Sequence, residues 1–384
     1  MQHTPLIEES ESFGSTDSFL SDKLGVDPQT EQALKSRIEA FSQFKQDAAV
    51  KYLEESTRRE TVADSHLLIL SGVRQDCADR YAYDIAADLL LSENSSSIGY
   101  FLRWKGKGIA INPGEGFIDQ LHKNGFFATD IDICIITSEN PDAYEDIFTL
   151  YELNFQLNKI NPEHKVIHYY LNQKTHREIA HKLKPHFKQE RNTVHCLELF
   201  VDSPEVETMT LSTGILLHYF AAQKQMSSTL GIQLELDEGV RIGYVSGTPW
   251  TPFIAANLAS TDLLITGFGQ THPNDFGKLH YNEECLGYFG ISSLIEEVKP
   301  KLVLVTEFDG TDGDIRLEVA RKLRKESKTD TTILPADTGM LFDLNTFQIA
   351  CSVTGEKVGV QEVELIKTQE MFGALKTVAP STKL

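Results

Sequence analysis

The most constraining feature of this sequence is an apolar run that ends in a polar loop and continues into an acidic, helix-like segment. Ile131–Ile136 reads Ile-Asp-Ile-Cys-Ile-Ile, Thr137 ends the run, and Ser138–Pro141 form the loop. Asp142–Asp146 then carry three carboxylates, which are favourable in the first turn of a helix. The pattern predicts a buried strand, a site loop and a helix, and therefore an α/β chain.

A hairpin precedes this feature. Ser97–Trp104 and Ile109–Gly116 are strand-like segments, and the glycine-rich turn Lys105–Gly108 joins them. The second segment ends in Asn112-Pro113-Gly114-Glu115-Gly116, which taken alone is a common strand-ending turn.

Strands and helices are predicted to follow in an α/β order along the rest of the chain. Further strands are expected at 67–72, 165–171, 193–201, 207–220, 229–236, 240–248, 262–267, 302–308 and 332–344. Helices are expected at 30–58, 117–124, 142–157, 176–187, 291–298 and 315–325.

From about Leu67 to Cys351, the order of these landmarks resembles that of the metallo-β-lactamase superfamily, and the Pro-Gly-Glu-Gly turn resembles its ribonuclease Z-like branch. The resemblance implies an αββα sandwich with an N-terminal helical extension. It also implies a two-metal site on the loops at the sheet edges.

In that family the loop after the strand reads His-x-His-x-Asp-His and supplies most of the metal ligands. Here Ser138, Asn140 and Ala143 stand at the three histidine positions, and only Asp142 matches. Asn112 replaces the aspartate of the family's Asp-Pro-Gly turn. The resemblance therefore comes with degenerate ligand motifs.

Four later positions complete the comparison with the family pattern. Gly247 stands where the bridging aspartate is expected, and Cys285 and Glu307 stand where histidines are expected. His218 either occupies a ligand position or is a core or strand-edge histidine beside Tyr219.

These replacements predict that no metal cofactor is bound. A dinuclear centre needs imidazole and carboxylate ligands that fix two cations and lower the pKa of a bound water. The alternative is one divalent cation, Mn²⁺, Mg²⁺ or Zn²⁺, held by Asp142, His218 and Glu307.

Charge and cysteine usage narrow the class of partner and the compartment. The net charge of -20 disfavours direct binding to nucleic acid, because the phosphate backbone is also anionic. Five widely spaced cysteines without a Cys-x-x-Cys pair fit a reducing cytoplasm, and no apolar run approaches the roughly 20 residues of a membrane helix.

The expected organisation is a flexible acidic arm at 1–27, a helical extension at 28–62, a metallo-β-lactamase-like domain at 63–360 and a tail at 361–384. The first functional hypothesis is a catalytically inactive binding or assembly subunit of a multi-protein complex, with a bacterial defence assembly as one example. Its partners would be other proteins or further copies of the chain, and no membrane.

Two alternatives stay open. One is a mononuclear metal-dependent hydrolase of phosphoester or related bonds, using Asp142, His218 and Glu307 with Asp309 or His280. The other is a pocket that binds a nucleotide or similar small ligand without cleaving it, through Ser138, Asn140 and His218.

Overall fold

The computed structural model describes residues 28–58, 65–71, 99–161, 165–183, 192–199, 206–223, 226–270, 281–308, 315–351 and 357–358. The predicted arm at 1–27 and tail at 361–384 lie outside these ranges, as do His280 and Asp309. The chain divides into two compact units, Met1–Arg59 and Glu60–Leu384.

The described part of the first unit is one helix, α1 (Pro28–Arg58), which confirms the predicted N-terminal helix. Proline at the start of a helix is favourable because the first N–H groups have no intrahelical acceptor. Apolar residues recur along α1 at intervals of three and four residues, as in Leu34, Ile38 and Phe41.

The second unit contains strands of two sheets. The first sheet has nine strands among the described residues, in the order β16-β15-β14-β1-β2-β3-β4-β5-β6, and the second has seven, in the order β13-β12-β11-β10-β9-β8-β7. The strands are β1 (Ser65–Ile69), β2 (Tyr100–Trp104), β3 (Lys107–Ile111), β4 (Ile133–Ile136), β5 (Ile167–Asn172), β6 (Asn192–Leu197), β7 (Glu207–Ser212), β8 (Ile215–Gln223), β9 (Met226–Leu236), β10 (Arg241–Val245), β11 (Leu263–Gly269), β12 (Leu302–Phe308), β13 (Thr332–Pro335), β14 (Met340–Asp343), β15 (Gln348–Cys351) and β16 (Lys357–Val358).

Both sheets are mixed. The predicted hairpin is confirmed, since β2 and β3 pair antiparallel from Tyr100↔Ile111 to Trp104↔Lys107. Strands β3 to β6 are parallel to one another, and β10 to β13 are parallel in the second sheet.

Helices cover the outer face of each sheet. They are α2 (Phe117–Lys123), α3 (Ile147–Ile160) and α4 (Gln173–Leu183) on the first sheet, and α5 (Pro252–Asn257), α6 (Gly287–Val298) and α7 (Arg316–Glu326) on the second. A third apolar cluster fills the space between the sheets, with Leu102, Ile135, Leu234, Ile265 and Leu304 among its fully buried members. The layers are therefore α, β, β and α, as predicted.

Two element predictions are wrong. The helix expected from Asp142 begins at Ile147, because a 3₁₀ turn over Pro141–Ala143 comes first. The Asp146 carboxylate does not cap the helix but accepts a hydrogen bond from the Ile118 N–H (2.9 Å). The strand expected at 207–220 is two strands, since Gly214 turns the chain with φ of +80°.

No helix in the described ranges is long and apolar enough to cross a membrane.

Candidate functional site

The carboxyl ends of parallel strands from both sheets meet at one edge of the sandwich. Asn112 follows β3, Thr137 follows β4, Ser246 follows β10, and Glu307 is the second-last residue of β12. Ligands commonly bind at such an edge because the loops that leave parallel strands converge there. This edge contains most of the positions that the sequence comparison singled out.

Glu307 is the centre of the site. Its Oε1 accepts hydrogen bonds from the hydroxyl groups of Tyr100 (2.7 Å) and Tyr244 (2.9 Å), and its Oε2 accepts one from the Ser246 hydroxyl. A carboxylate has about four acceptor sites, so these three donors use most of its capacity.

Asn112 extends this arrangement. Its buried Nδ2 group donates to the Tyr244 hydroxyl (2.9 Å) and to Thr137 Oγ1 (2.8 Å), and its Oδ1 accepts from the Thr137 backbone N–H (2.8 Å). The amide therefore ties the ends of β3 and β4 in the first sheet to β10 in the second.

We call these six residues the strand-end cluster: Tyr100, Asn112, Thr137, Tyr244, Ser246 and Glu307. Three of them belong to each sheet, so the hydrogen bonds cross the space between the sheets. The buried Tyr100 and Tyr244 rings pack 5.4 Å apart between their centroids, whereas Ser246 and Glu307 are half-buried.

Backbone geometry fits the cluster closely. Gly267 of β11 lies under it, and a Cβ atom there would be 1.9 Å from Ser246 Oγ and 3.1 Å from Glu307 Oε2. Asn112 and Glu307 both have positive φ, at 50° and 52°, a conformation that costs free energy in residues with a side chain. Any larger residue at Gly267 would displace the hydroxyl and the carboxylate.

The two tyrosines of the cluster stay protonated. Burial raises the pKa of each hydroxyl well above its usual value, and the neighbouring Glu307 carboxylate raises it further. Both groups therefore act as hydrogen-bond donors to Glu307 throughout the neutral range.

Five predicted positions, Ser138, Asn140, Asp142, Ala143 and Gly247, lie on the site loops, which we define as Ser138–Ala143 and Gly247. Ser138 Oγ accepts from the Asn140 N–H (3.1 Å), and Asn140 Oδ1 accepts from the Asp142 N–H (3.4 Å). Asn140 is exposed and caps the 3₁₀ turn, while Asp142 is half-buried. These bonds are local and do not reach the strand-end cluster.

Two site-loop positions have no side-chain atom that binds a cation. Ala143 is only 6% exposed and packs as a small core residue. Gly247 is exposed with φ of +61°, and a Cβ atom there would meet nothing within 4 Å.

Cys285 lies beside the cluster. A Cβ atom on Gly269 would be 2.6 Å from Cys285 Sγ, and Gly269 is two residues from Gly267 on the same face of β11. The thiol is buried, 3.6 Å from the Gln270 carbonyl oxygen.

The structure places His218 away from the other predicted positions. His218 of β8 pairs with Gln233 of β9, and Gln233 pairs with Gly243 of β10. His218 is therefore two strands away from β10 and level with a residue three positions before Ser246. Its chain neighbours Leu217 and Tyr219 face the core between the sheets, so His218 faces outward, where Nδ1 is 2.9 Å from Thr208 Oγ1 and Nε2 is 3.5 Å from Glu235. Of the two interpretations of His218, this geometry is that of a strand histidine.

Sequence reasoning missed Tyr100 and treated Tyr244, Ser246 and Thr137 only as motif neighbours. Tyr244 and Ser246 are the first and third residues of the segment 244–248, in which Gly247 stands at the position compared with the family's bridging aspartate, and this nearness was the available signal. Tyr100 lies in an apolar strand and gave none.

The residues present do not fit a two-metal centre. The hydroxyl and amide groups around Glu307 donate hydrogen bonds to its oxygens, whereas cation ligands would present lone pairs to a common point. Among the residues that the structure describes, no three His, Cys, Asp or Glu side chains are grouped so that they could hold a metal ion.

Comparison with known proteins agrees with the geometry of the sandwich. A family model described as the β-lactamase superfamily domain matches residues 107–306. No curated protein sequence matches the chain significantly.

Several solved structures share the fold at low sequence identity. The metallo-β-lactamase fold protein YhfI from Bacillus subtilis aligns with a TM-score of 0.54 and 11% identity, covering 72% of this chain and 98% of that one. A diphosphatase of the PhnP family aligns with a TM-score of 0.51 and 16% identity, covering 72% of this chain and 97% of that one. The short form of human tRNase Z aligns with a TM-score of 0.50 and 13% identity, covering 73% of this chain and 99% of that one.

Proposed function

The chain belongs to the β-lactamase superfamily, and we propose that it is a catalytically inactive member that acts as a binding or assembly subunit of a multi-protein complex. One observation carries the proposal: the Glu307 carboxylate is bound by the hydroxyl groups of Tyr100, Tyr244 and Ser246.

Metal-dependent hydrolysis requires ligands that fix cations and so generate a hydroxide near neutral pH. Ser138, Asn140 and Ala143 supply no imidazole, and Gly247 supplies no bridging oxygen. Structural neighbours are named as a diphosphatase and a tRNase, and at 16% and 13% identity they share the fold with this chain.

The strand-end cluster gives the scaffold a way to remain closed without cations. Its hydrogen bonds join the two sheets at the edge where metal-bearing relatives would place ions, and the rings of Tyr100 and Tyr244 continue into the apolar core between the sheets. Selection for a stable binding surface, without turnover, would preserve this arrangement.

The net charge of -20 favours proteins over nucleic acids as partners. We therefore propose protein partners, including further copies of the chain, in the cytoplasm. A bacterial defence assembly is one setting that fits.

The catalytic part of the proposal is tested by elemental analysis of protein purified without chelator, together with a phosphodiester assay in Mn²⁺. We expect metal well below one ion per chain and no turnover above buffer. Stoichiometric metal together with turnover that Asp142→Ala abolishes would instead establish the mononuclear hydrolase. Glu145→Ala, an exposed neighbour on the same segment, is the matched control.

The assembly part is tested by light scattering after size exclusion, on the purified chain and on a gentle extract of its native cells. We expect the extract to hold the chain in a particle larger than that formed by the purified chain. A 43.1 kDa monomer in both samples would contradict the assembly role.

A further inference from the structure

Helix α1 exposes an apolar face. Five of the six large hydrophobic side chains that are exposed among the described residues lie on α1, and Phe41 and Phe44 are 58% and 67% exposed. Leu34, Ile38 and Phe41 follow one another at intervals of four and three residues, so they share one side of the helix. An exposed face of this kind commonly marks a contact surface.

Basic side chains flank the apolar stripe of α1. Arg37, Lys45 and Lys51 lie within or beside the stripe, as does Glu55, which forms an ion pair with Lys51 (3.7 Å), whereas Glu39, Asp47 and Glu54 project from the opposite side at 3.6 residues per turn. Lys45 Nζ lies over the Phe41 ring, 4.7 Å from its centroid. We call Leu34, Ile38, Phe41 and Phe44, with Arg37, Lys45 and Lys51, the α1 face.

The α1 face fits an acidic apolar occupant. Antiparallel pairing with the same face of a second copy, centred on Phe41, would place Arg37 opposite Lys45, so that like charges would meet. Elsewhere in the described residues, Tyr281 is the one exposed large hydrophobic side chain, so a second copy offers no apolar patch there to receive the stripe.

The chain carries a segment of the required chemistry immediately before α1. Residues 6–24 contain the carboxylates of Glu8, Glu9, Glu11, Asp17 and Asp22 and the apolar side chains of Leu6, Ile7, Phe13, Phe19, Leu20 and Leu24. Lys23 is the single basic residue of this segment.

The length of the segment is sufficient. Phe44 lies sixteen residues beyond Pro28, about 24 Å along the helix axis. Residues 6–24 would span about 28 Å as a helix and more if extended. A short connection also keeps the segment at a high effective concentration, on the order of millimolar.

We propose that residues 6–24 fold back and cover the α1 face, so that the acidic arm competes with any external partner for that surface. This inference concerns the first unit of the chain and does not depend on the chemistry of the strand-end cluster.

Zero-length carbodiimide cross-linking of the full chain tests this proposal. A mixture of unlabelled and ¹⁵N-labelled protein is cross-linked, and the peptides are identified by mass spectrometry. We expect links from Glu8, Glu9 or Glu11 to Lys45 or Lys51, within single chains. Phe41→Ala with Phe44→Ala should lower their yield about tenfold, since the apolar contact is lost.

Val50→Ala is the matched control, because Val50 is exposed but lies away from the stripe. It should leave the cross-links unchanged. Circular dichroism should show equal helix content in all variants, since alanine favours helix.

Three results would overturn the proposal. The first is that links from the arm to α1 are no more frequent in the unchanged protein than in the double variant. The second is that the links join labelled to unlabelled chains, which would assign the face to another copy. The third is that the protein sediments with phosphatidylglycerol-containing vesicles and the double variant does not, which would assign the face to a membrane. None of them bears on metal content or turnover, so failure here is distinguishable from failure of the proposed function.

Discussion

The strand-end cluster and the site loops occupy the same edge of the sandwich but satisfy their polar groups differently. In the cluster, Asn112, Tyr100 and Tyr244 are buried, and their bonds connect residues up to 207 positions apart. In the site loops, Asn140 and Asp142 bond to residues two positions away.

This difference indicates two ways in which polar side chains at this edge are satisfied. Where the position is buried and shared by both sheets, the side chain must satisfy its neighbours, because an unpaired buried donor costs free energy. Where the position is on a surface loop, local turn bonds or solvent suffice. Substitutions should therefore cost much more in the cluster than in the loops.

The largest effect is expected for Glu307→Ala. Loss of the carboxylate leaves the hydroxyl groups of Tyr100 and Tyr244 without their main acceptor, which should lower the free energy of unfolding by about 3 kcal/mol. Urea unfolding measures the change, with the exposed Glu283→Ala as control. A loss within about 0.5 kcal/mol would remove the distinction between the two regions.

Tyr244→Phe should have the next largest effect. It removes one bond to the Glu307 carboxylate and one from Asn112 Nδ2, at a cost of about 2 kcal/mol. A double-mutant cycle with Asn112→Ala should give a coupling of about 1 kcal/mol, and additive losses would show that the two side chains do not act together. Tyr281→Phe is the control, because Tyr281 is exposed and its hydroxyl bonds to the Ser293 hydroxyl (3.0 Å) at the surface.

Alkaline pH should weaken the cluster, as it should weaken the surroundings of other buried tyrosines such as Tyr169, whose pKa burial also raises. The pKa values of Tyr100 and Tyr244 are raised in the folded protein, chiefly by burial, whereas in the unfolded chain tyrosine ionises near pH 10. The folded state then holds more protons, so stability is fully present below about pH 10 and falls as pH rises beyond it. The free energy of unfolding, measured against pH, should fall less steeply in the double variant Tyr100→Phe, Tyr244→Phe than in the unchanged protein. Equal slopes would contradict this prediction.

Gly247→Asp should cost about 1 kcal/mol, because aspartate tolerates the left-handed backbone conformation and a Cβ atom there has open space. It restores a carboxylate at the bridging position but no imidazole. Elemental analysis should find no increase in bound metal, and a stoichiometric increase would mean that the site loops retain a usable ligand set.

The smallest effect is expected for Asn140→Ala. The substitution removes the cap of the 3₁₀ turn, and the exposed loop can exchange that bond for water, so the loss should be about 0.5 kcal/mol. Urea unfolding again measures it. A loss as large as that of Glu307→Ala would show that loop and cluster are energetically equivalent.

The sequence by itself determined the layered fold and the edge at which the site lies. Apolar periodicity records which faces are buried. Thr137 falls directly after a predicted strand, and Asn112 and Ser246 lie within predicted strand segments that the structure ends at Ile111 and Val245. The sequence also predicted degenerate ligand positions, because each is a residue type at a fixed place in a motif, and this stays a prediction.

Only the tertiary structure decided which polar groups pair. Tyr100 and Glu307 are 207 residues apart, and their bond depends on the register of strands in two different sheets. The outward direction of His218 follows likewise from which face of β8 packs on the core. Local patterns specify burial, but the partner of a buried polar group is set by how the sheets pack face to face, which no local stretch of sequence encodes.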